Sequence, residues 1–349
     1  MLRRAVTLIV AAVLLIGLAV GGMYLPVPYL IASPGITVDT LGEQDGESVI
    51  QVEGHESYEH EGGLSMVTVQ YSGGPSARMD LFSALSAWLS PSQAVLPEEV
   101  LYPPGRSMDE IAETQSLQMD DSQELATAAA FNQLGIDYEV SAVVVSVNDG
   151  MPAQGTLKAE DRITHVDGEP VADKEEVVAD VGDRQPGEPV ELTIVRDGQT
   201  REFTIETTQS EEGGPIIGVM VGNDMRFPFE VDISVGDIGG PSAGMMFALG
   251  IMDHLSEEGL TGGHRIAGTG TIDADGDVGG VSGVEQKMVS AQRADAEYFF
   301  VAAESCSQTF DSAATGELKV ISIEKLSDAT AALAAIRTGE GVADLPRCE

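Results

Sequence analysis

The chain has 349 residues, room for two or three domains, and 43% of them are hydrophobic, an ordinary share for a globular protein. Its charge is not ordinary: 18 basic residues stand against 57 acidic ones, a formal net charge of −39. Such a surface repels a phosphate backbone, which excludes nucleic acid as a partner, and it repels anionic lipid beyond the first few residues; it keeps a protein soluble but names no ligand.

In chain order the first element is Met1-Leu2-Arg3-Arg4 followed by an uncharged run from Ala5 to Leu25. That run matches the ~20 apolar residues of a membrane-spanning helix. With Arg3 and Arg4 ahead of it, the positive-inside rule leaves the tip in the cytoplasm and the body outside. Tyr24 and Pro26 suit the outer interface. The competing reading is a cleaved signal peptide with Ala19-Val20-Gly21 as its small-x-small site, although the run exceeds the ~7–15-residue core of such signals. Both readings put the body outside the cytoplasm, where the only two cysteines, Cys306 and Cys348, could form a disulfide or remain free thiols.

Short β-like runs follow at residues 48–52 and 64–70, a helix at 79–89, a Pro-rich irregular stretch at 91–105, and a helix over 122–134 with Ser122 as N-cap and Gly135 as stop. From Glu139 the pattern turns to β. An apolar strand at 140–147 leads to Met151-Pro152-Ala153, then Glu160-Asp161-Arg162-Ile163 and the turn Val166-Asp167-Gly168. A short helix at 173–180 precedes Pro186-Gly187, a strand at 190–196, a hairpin turn at Asp197-Gly198 and a closing strand at 202–207. These landmarks, in this order, resemble a bacterial PDZ domain over roughly residues 138–208. The resemblance implies an extended peptide or C-terminal tail held by β-augmentation.

The last third alternates strand and helix: strands at 215–221 and 229–234, an apolar helix at 243–255, a strand at 265–272, a helix at 283–294, strands at 298–302 and 318–323, and a helix at 328–337. This is the pattern of an α/β or α+β domain.

Two residues in this region make little structural sense alone. On helix 283–294, Lys287 shares a face with Val284, Met288 and Ala291, spaced i, i+3, i+4 and i+7. A charged amine there is costly, and burial lowers its pKa toward the ~7–8 useful in a general base. An isolated lysine in this position could equally snorkel outward along its stem. Ser242 lies in Gly239-Gly240-Pro241-Ser242-Ala243-Gly244, at the mouth of an apolar helix. Unpaired N–H groups at a helix start can hold an oxyanion, with Gly240, Ser242 and Ala243 as candidates. The plain alternative is that Ser242 caps the helix. Gly73-Gly74-Pro75-Ser76-Ala77 nearly repeats the motif with no lysine near it in sequence, and Ser76 reads as a cap.

Taken together, Gly-Pro-Ser-Ala-Gly at 240–244 and Gly283-Val284-Glu285-Gln286-Lys287 with Ala291-Gln292-Arg293-Ala294 resemble the proteolytic domain of Lon-type serine proteases, over about residues 212–337. The resemblance implies Ser242 as nucleophile, Lys287 as general base and Thr269, in Gly268-Thr269-Gly270, as its support; it also makes a homo-oligomer plausible. Gly239 stands where that family often has an acidic residue. The Gly-x-x-x-x-Gly-Lys-[Ser/Thr] of an ATPase is absent from the sequence.

The anchor, PDZ domain and Lon-like region together resemble the YlbL-type family of membrane-anchored PDZ proteases. The expected architecture is a membrane-anchored, multidomain α/β (α+β) chain: residues 1–27 as cytoplasmic tip and anchor, 28–137 as an N-terminal extracytoplasmic region, 138–209 as the PDZ domain and 210–349 as the Lon-like domain. The expected activity is ATP-independent cleavage of exported or unfolded polypeptides, without cofactor or metal. A non-catalytic PDZ adaptor on an inactive protease fold is the alternative, and ester hydrolysis is open to the same chemistry. A histidine triad is the weakest rival: His55, His60, His165, His254 and His264 are scattered, and His254 lies about 18 Å from Ser242 along the same helix.

Overall fold

The computed structural model describes residues 2–23, 25–44, 46–75, 77–210 and 213–348; Tyr24 and Ser76, singled out above, lie outside them. Seven α-helices occur among the described residues: α1 (Leu2–Met23), α2 (Leu81–Trp88), α3 (Met108–Leu134), α4 (Lys174–Gly182), α5 (Gly244–Leu255), α6 (Val284–Arg293) and α7 (Leu326–Thr338). Among the described residues α1 contains the one candidate span, Arg3–Gly22, long and apolar enough to cross a membrane. The chain divides into two compact units. One is discontinuous, Met1–Ile136 with Phe229–Glu349; the other, Asp137–Pro228, is inserted between those halves.

This partition differs from the expected one in two ways. Residues 28–136 are not a region of their own. Their strands Tyr29–Asp39 and Gly63–Gly73 lie in the same six-stranded sheet as strands from the C-terminal third, in the order Lys319–Ile323, Tyr298–Ala302, Arg265–Thr269, Gly63–Gly73, Tyr29–Asp39, Ala94–Pro97. The first four are mutually parallel and the last two antiparallel to their neighbours. The second difference is that the PDZ unit runs past residue 209. Strand Val219–Arg226 pairs along the whole of strand Glu139–Val147, so its backbone hydrogen bonds belong to that unit.

Helices α5 and α6 cover opposite faces of the six-stranded sheet. Val67, Ala267, Phe299 and Val301 are buried with Val284, Met288 and Ala291 of α6. Successive strand residues point to opposite faces. Gly268 accordingly faces α5, where a Cβ would stand 2.6 Å from the Met246 sulfur. α3 packs along α5. It starts earlier than expected: Ser107, not Ser122, is its N-cap, in a capping box with Glu110. That leaves Ser122 in mid-helix and buried. After the insertion, the Phe229 ring packs tilted against Phe131 of α3, ring centroids 4.8 Å apart, and strand Glu230–Ile233 pairs with Ile50–Glu53. Cys306 and Cys348 form a disulfide.

The PDZ unit is an antiparallel sheet in the order Gln199–Glu206, Pro189–Arg196, Arg162–Val166, Glu139–Val147, Val219–Arg226, with α4 against it. Its core includes the inward-facing strand residues Val144, Ile163, Val166, Val190, Leu192 and Ile194, with Leu157 from the loop after the first strand. The buried carboxylate of Asp161 is paired with Arg196 at 2.5 Å.

Candidate functional site

The parallel pairing of Gly63–Gly73 with Arg265–Thr269 stops at Met66 and Gly268. Beyond that point the strands part, and strand Gly63–Gly73 continues with no strand paired on that side among the described residues. A cavity of about 670 Å³ opens there, walled by residues 66–71 of the free edge, Gln115, Gln118 and Met119 of α3, the loop from Asp237 to Ala243, and Gly280–Ser282. This is the crevice beyond the carboxyl ends of parallel strands, where α/β folds place their ligands.

Ser242 and Lys287 meet in it. Lys287 Nζ lies 2.8 Å from Ser242 Oγ and 2.9 Å from Thr269 Oγ1. The α6 spacing has the expected result: Lys287 faces inward and is 4% exposed. Gly283, the residue before α6, is left-handed at φ +73° and abuts Val69, where a Cβ would stand 2.7 Å from Cγ2. A glycine there therefore lets the helix start close to the sheet. No ion pair reaches the Lys287 amine among the described residues, and desolvation pulls its pKa from 10.5 down to about 8.

Ser242 does not cap α5. Ala243 is the N-cap residue, and no side chain makes a capping hydrogen bond there. The Oγ is thus left to the cavity and the amine. Two of the three expected oxyanion donors remain available: the N–H groups of Ser242 and Ala243 have no partner among the described residues. The third does not. Gly240 N–H donates to the Gln115 carbonyl of α3 at 2.9 Å, so it is already committed. Gly239 rests on the same residue, and a Cβ on it would stand 2.9 Å from Gln115 Cβ, which explains why no acidic side chain is found there.

The peptide planes behind the two free N–H groups are held from the far side. The Pro241 carbonyl, in the plane of Ser242 N–H, accepts from Ser122 Oγ at 3.1 Å. The Ser242 carbonyl, in the plane of Ala243 N–H, accepts from Thr269 Oγ1 and from Gly270 N–H, each at 3.0 Å. A peptide unit is planar, so fixing its C=O fixes the direction of its N–H. The Thr269 hydroxyl donates to the Ser242 carbonyl and still accepts from Lys287 Nζ on the same oxygen. Sequence reasoning missed Ser122, Gln115 and the strand edge at 66–71. The one available signal was Ser107-x-x-Glu110, a capping box that makes α3 long enough to reach the cavity.

The histidines lie elsewhere. His264 Nδ1 is 3.1 Å from the Glu297 carboxylate, which holds that carboxyl below its usual range, and His254 Nδ1 meets the Tyr58 carbonyl. Among the described residues no cluster of three or more His, Cys, Asp or Glu could hold a metal.

The family model for the PDZ domain matches residues 114–207, and that for the Lon protease (S16) C-terminal proteolytic domain matches residues 231–335. The PDZ domain of the SdrC-like protein of Listeria monocytogenes is 27% identical over 23% of this chain and 85% of its own, with a TM-score of 0.22. That of the SdrC-like protein of Listeria innocua is 28% identical over 23% and 92%, with a TM-score of 0.23. A solution structure from Geobacillus thermodenitrificans is 33% identical over 23% and 94%, with a TM-score of 0.21. No curated protein matches the chain. The two domain matches support a protease that carries a PDZ domain. With the apolar helix α1 ahead of both, the chain is consistent with the YlbL-type Lon-like proteases.

Proposed function

We propose that this protein is a membrane-anchored, ATP-independent serine endopeptidase in which Ser242 is the nucleophile and Lys287 the general base. The observation that carries the reading is the 2.8 Å approach of a buried amine, with no ion pair among the described residues, to a serine hydroxyl. With a pKa of about 8, roughly a tenth of the amine is neutral at pH 7. In that state Nζ accepts the Ser242 Oγ–H and donates to Thr269, which keeps the lone pair aimed at the serine. Oγ attacks the peptide carbonyl carbon as its proton passes to Nζ, and the N–H groups of Ser242 and Ala243 take the oxyanion. The Lys287 ammonium then protonates the leaving amine, an ester to Ser242 remains, and the neutral amine next activates water to hydrolyse it. Ser122 and Thr269 orient the oxyanion donors.

The unpaired strand edge beyond Met66 supports binding of an extended polypeptide beside the nucleophile. In the PDZ unit, the edge strand Val219–Arg226 offers the same kind of addition to a peptide or C-terminal tail. The absence of an ATP-binding glycine-lysine motif from the sequence favours substrates that are already unfolded. Arg3 and Arg4 before α1 favour a single pass with the body outside the cytoplasm.

The test is cleavage of an unfolded polypeptide and of a short fluorogenic peptide by wild type, Ser242→Ala and Lys287→Met, with folding checked by circular dichroism. Both variants should be folded and inactive. Undiminished cleavage by both would overturn the Ser242/Lys287 assignment, and no cleavage by wild type would leave the adaptor reading, in which this fold only presents the PDZ domain.

A further inference from the structure

Helix α2 is built the wrong way round for a helix in water. From Leu81 to Leu89 it has no charged residue, in a chain of net charge −39. Its small residues Ala84 and Ala87 are the buried ones, on the side that packs against strands Tyr29–Asp39 and Ala94–Pro97. Its large apolar residues face outward: Leu81, Phe82, Leu85, Trp88 and Leu89 are all exposed, the last two 71% each. At the helical angle per residue these five positions fall in one stripe about 120° wide.

The stripe sits at the end of the apolar span. Leu81 N–H donates to the Leu25 carbonyl at 3.2 Å, two residues past the end of α1. The short strands Pro26–Val27 and Met79–Asp80 pair antiparallel. The Phe82 ring lies against Gly22, where a Cβ would stand 2.6 Å from it. Tyr29, which opens the next strand, is exposed as well. An exposed tryptophan and tyrosine at the mouth of a span match the aromatic belt of membrane proteins.

We propose that α2 is a second membrane contact, lying in the headgroup region of the outer leaflet with Leu85, Trp88 and Leu89 at the acyl boundary. This inference rests on the reading of α1 as a membrane span. Interfacial helices bury their apolar face about 5–10 Å into that region, and one tied to the end of a span needs little further driving force. A lipid surface is the occupant because the stripe continues the span's own lipid-facing surface. The lack of charge on α2 also means that no anionic lipid is required, which suits an acidic chain. The contact holds the sheet that carries the catalytic cavity close to the bilayer, since α2 packs on two of its strands.

Trp88 is the only tryptophan in the chain, so its fluorescence reports this face alone. The full chain is reconstituted in phosphatidylcholine vesicles and washed with alkaline carbonate. A chain that washes off overturns the anchor reading and this inference with it. In a chain that stays, Trp88 emission should fall by about half with lipids spin-labelled near the headgroup, and by much less with lipids labelled at the chain end. Acrylamide from the water phase should reach Trp88 about threefold less well than in the double variant Leu85→Gln/Leu89→Gln. Adding anionic lipid should not strengthen the contact. Free access of acrylamide with no lipid quenching overturns the inference while leaving the anchor standing. Protection from both quenchers also overturns it, because a second copy or another protein would then cover the stripe.

Discussion

In the PDZ unit, strands adjacent in the sheet are mostly adjacent in the chain; in the proteolytic unit the central strand Gly63–Gly73 finds its parallel partner Arg265–Thr269 on the far side of an inserted domain. The two units therefore store their information differently. A fold made of short-range pairings is written as landmarks in order, turn after turn. One closed by long-range pairings shows itself locally only where a residue's chemistry conflicts with its position. Lys287 on an apolar face is such a conflict, and it marks the candidate site without reference to strand order.

The sharpest way to break this comparison is to remove the chemistry and watch both units. Ser242→Ala and Lys287→Met should each lower the turnover of a short peptide by about 10⁴-fold or more. Neither should change peptide affinity at the PDZ unit, measured by fluorescence anisotropy. Lys287→Met has a second expected effect with a definite sign. The amine keeps its proton up to pH 10.5 in the unfolded chain but only to about 8 in the folded one. Between those values the unfolded state holds more protons, so wild-type stability rises with pH there. Below about pH 8 the buried charge costs on the order of 3 kcal/mol, which Lys287→Met should recover in a urea melt at pH 7.

A smaller effect is expected from Ser122→Ala. It removes the hydroxyl that holds the Pro241 carbonyl but touches neither nucleophile nor base. Loss of a whole oxyanion donor costs ~10²–10³ in kcat, so letting one wander should cost about tenfold, with KM changed by less than about twofold. A fall in stability with kcat intact would make Ser122 a packing residue only.

The smallest change should follow excision of residues 137–228 with a short Gly/Ser linker joining Ile136 to Phe229. The Phe131 and Phe229 rings are already in contact, so the two ends of the insertion start close together. Cleavage of short peptides should stay within about twofold of wild type, while long unfolded substrates lose more. A variant that cannot fold would show that the discontinuous unit depends on its insertion.

How much was legible follows the same division. The PDZ turns, the Gly-Pro-Ser-Ala-Gly loop and the α6 face could be read because each is a local pattern with a physical reason. Ser122 has the local look of a cap, but Ser107-x-x-Glu110 is the stronger start signal and caps the helix. Gly240 was read as an oxyanion donor because nothing in the sequence says that the Gln115 carbonyl from α3 reaches it. The strands at 29–39 and 63–73 looked like a separate region because their partners come after the insertion. Each of these depends on contacts between distant stretches of chain, which periodicity and spacing do not encode.

The claim on which the mechanism stands is an amine whose pKa burial lowers to about 8, so that a working fraction of it is neutral near neutral pH. Its most direct test is an NMR titration of the ¹³Cε resonance of Lys287, assigned by its loss in Lys287→Met. A midpoint near pH 8 is the expected result, moved below the ordinary lysine value by burial. A midpoint at or above the ordinary 10.5 would mean a charged, solvated amine beside Ser242, and no base for the reaction.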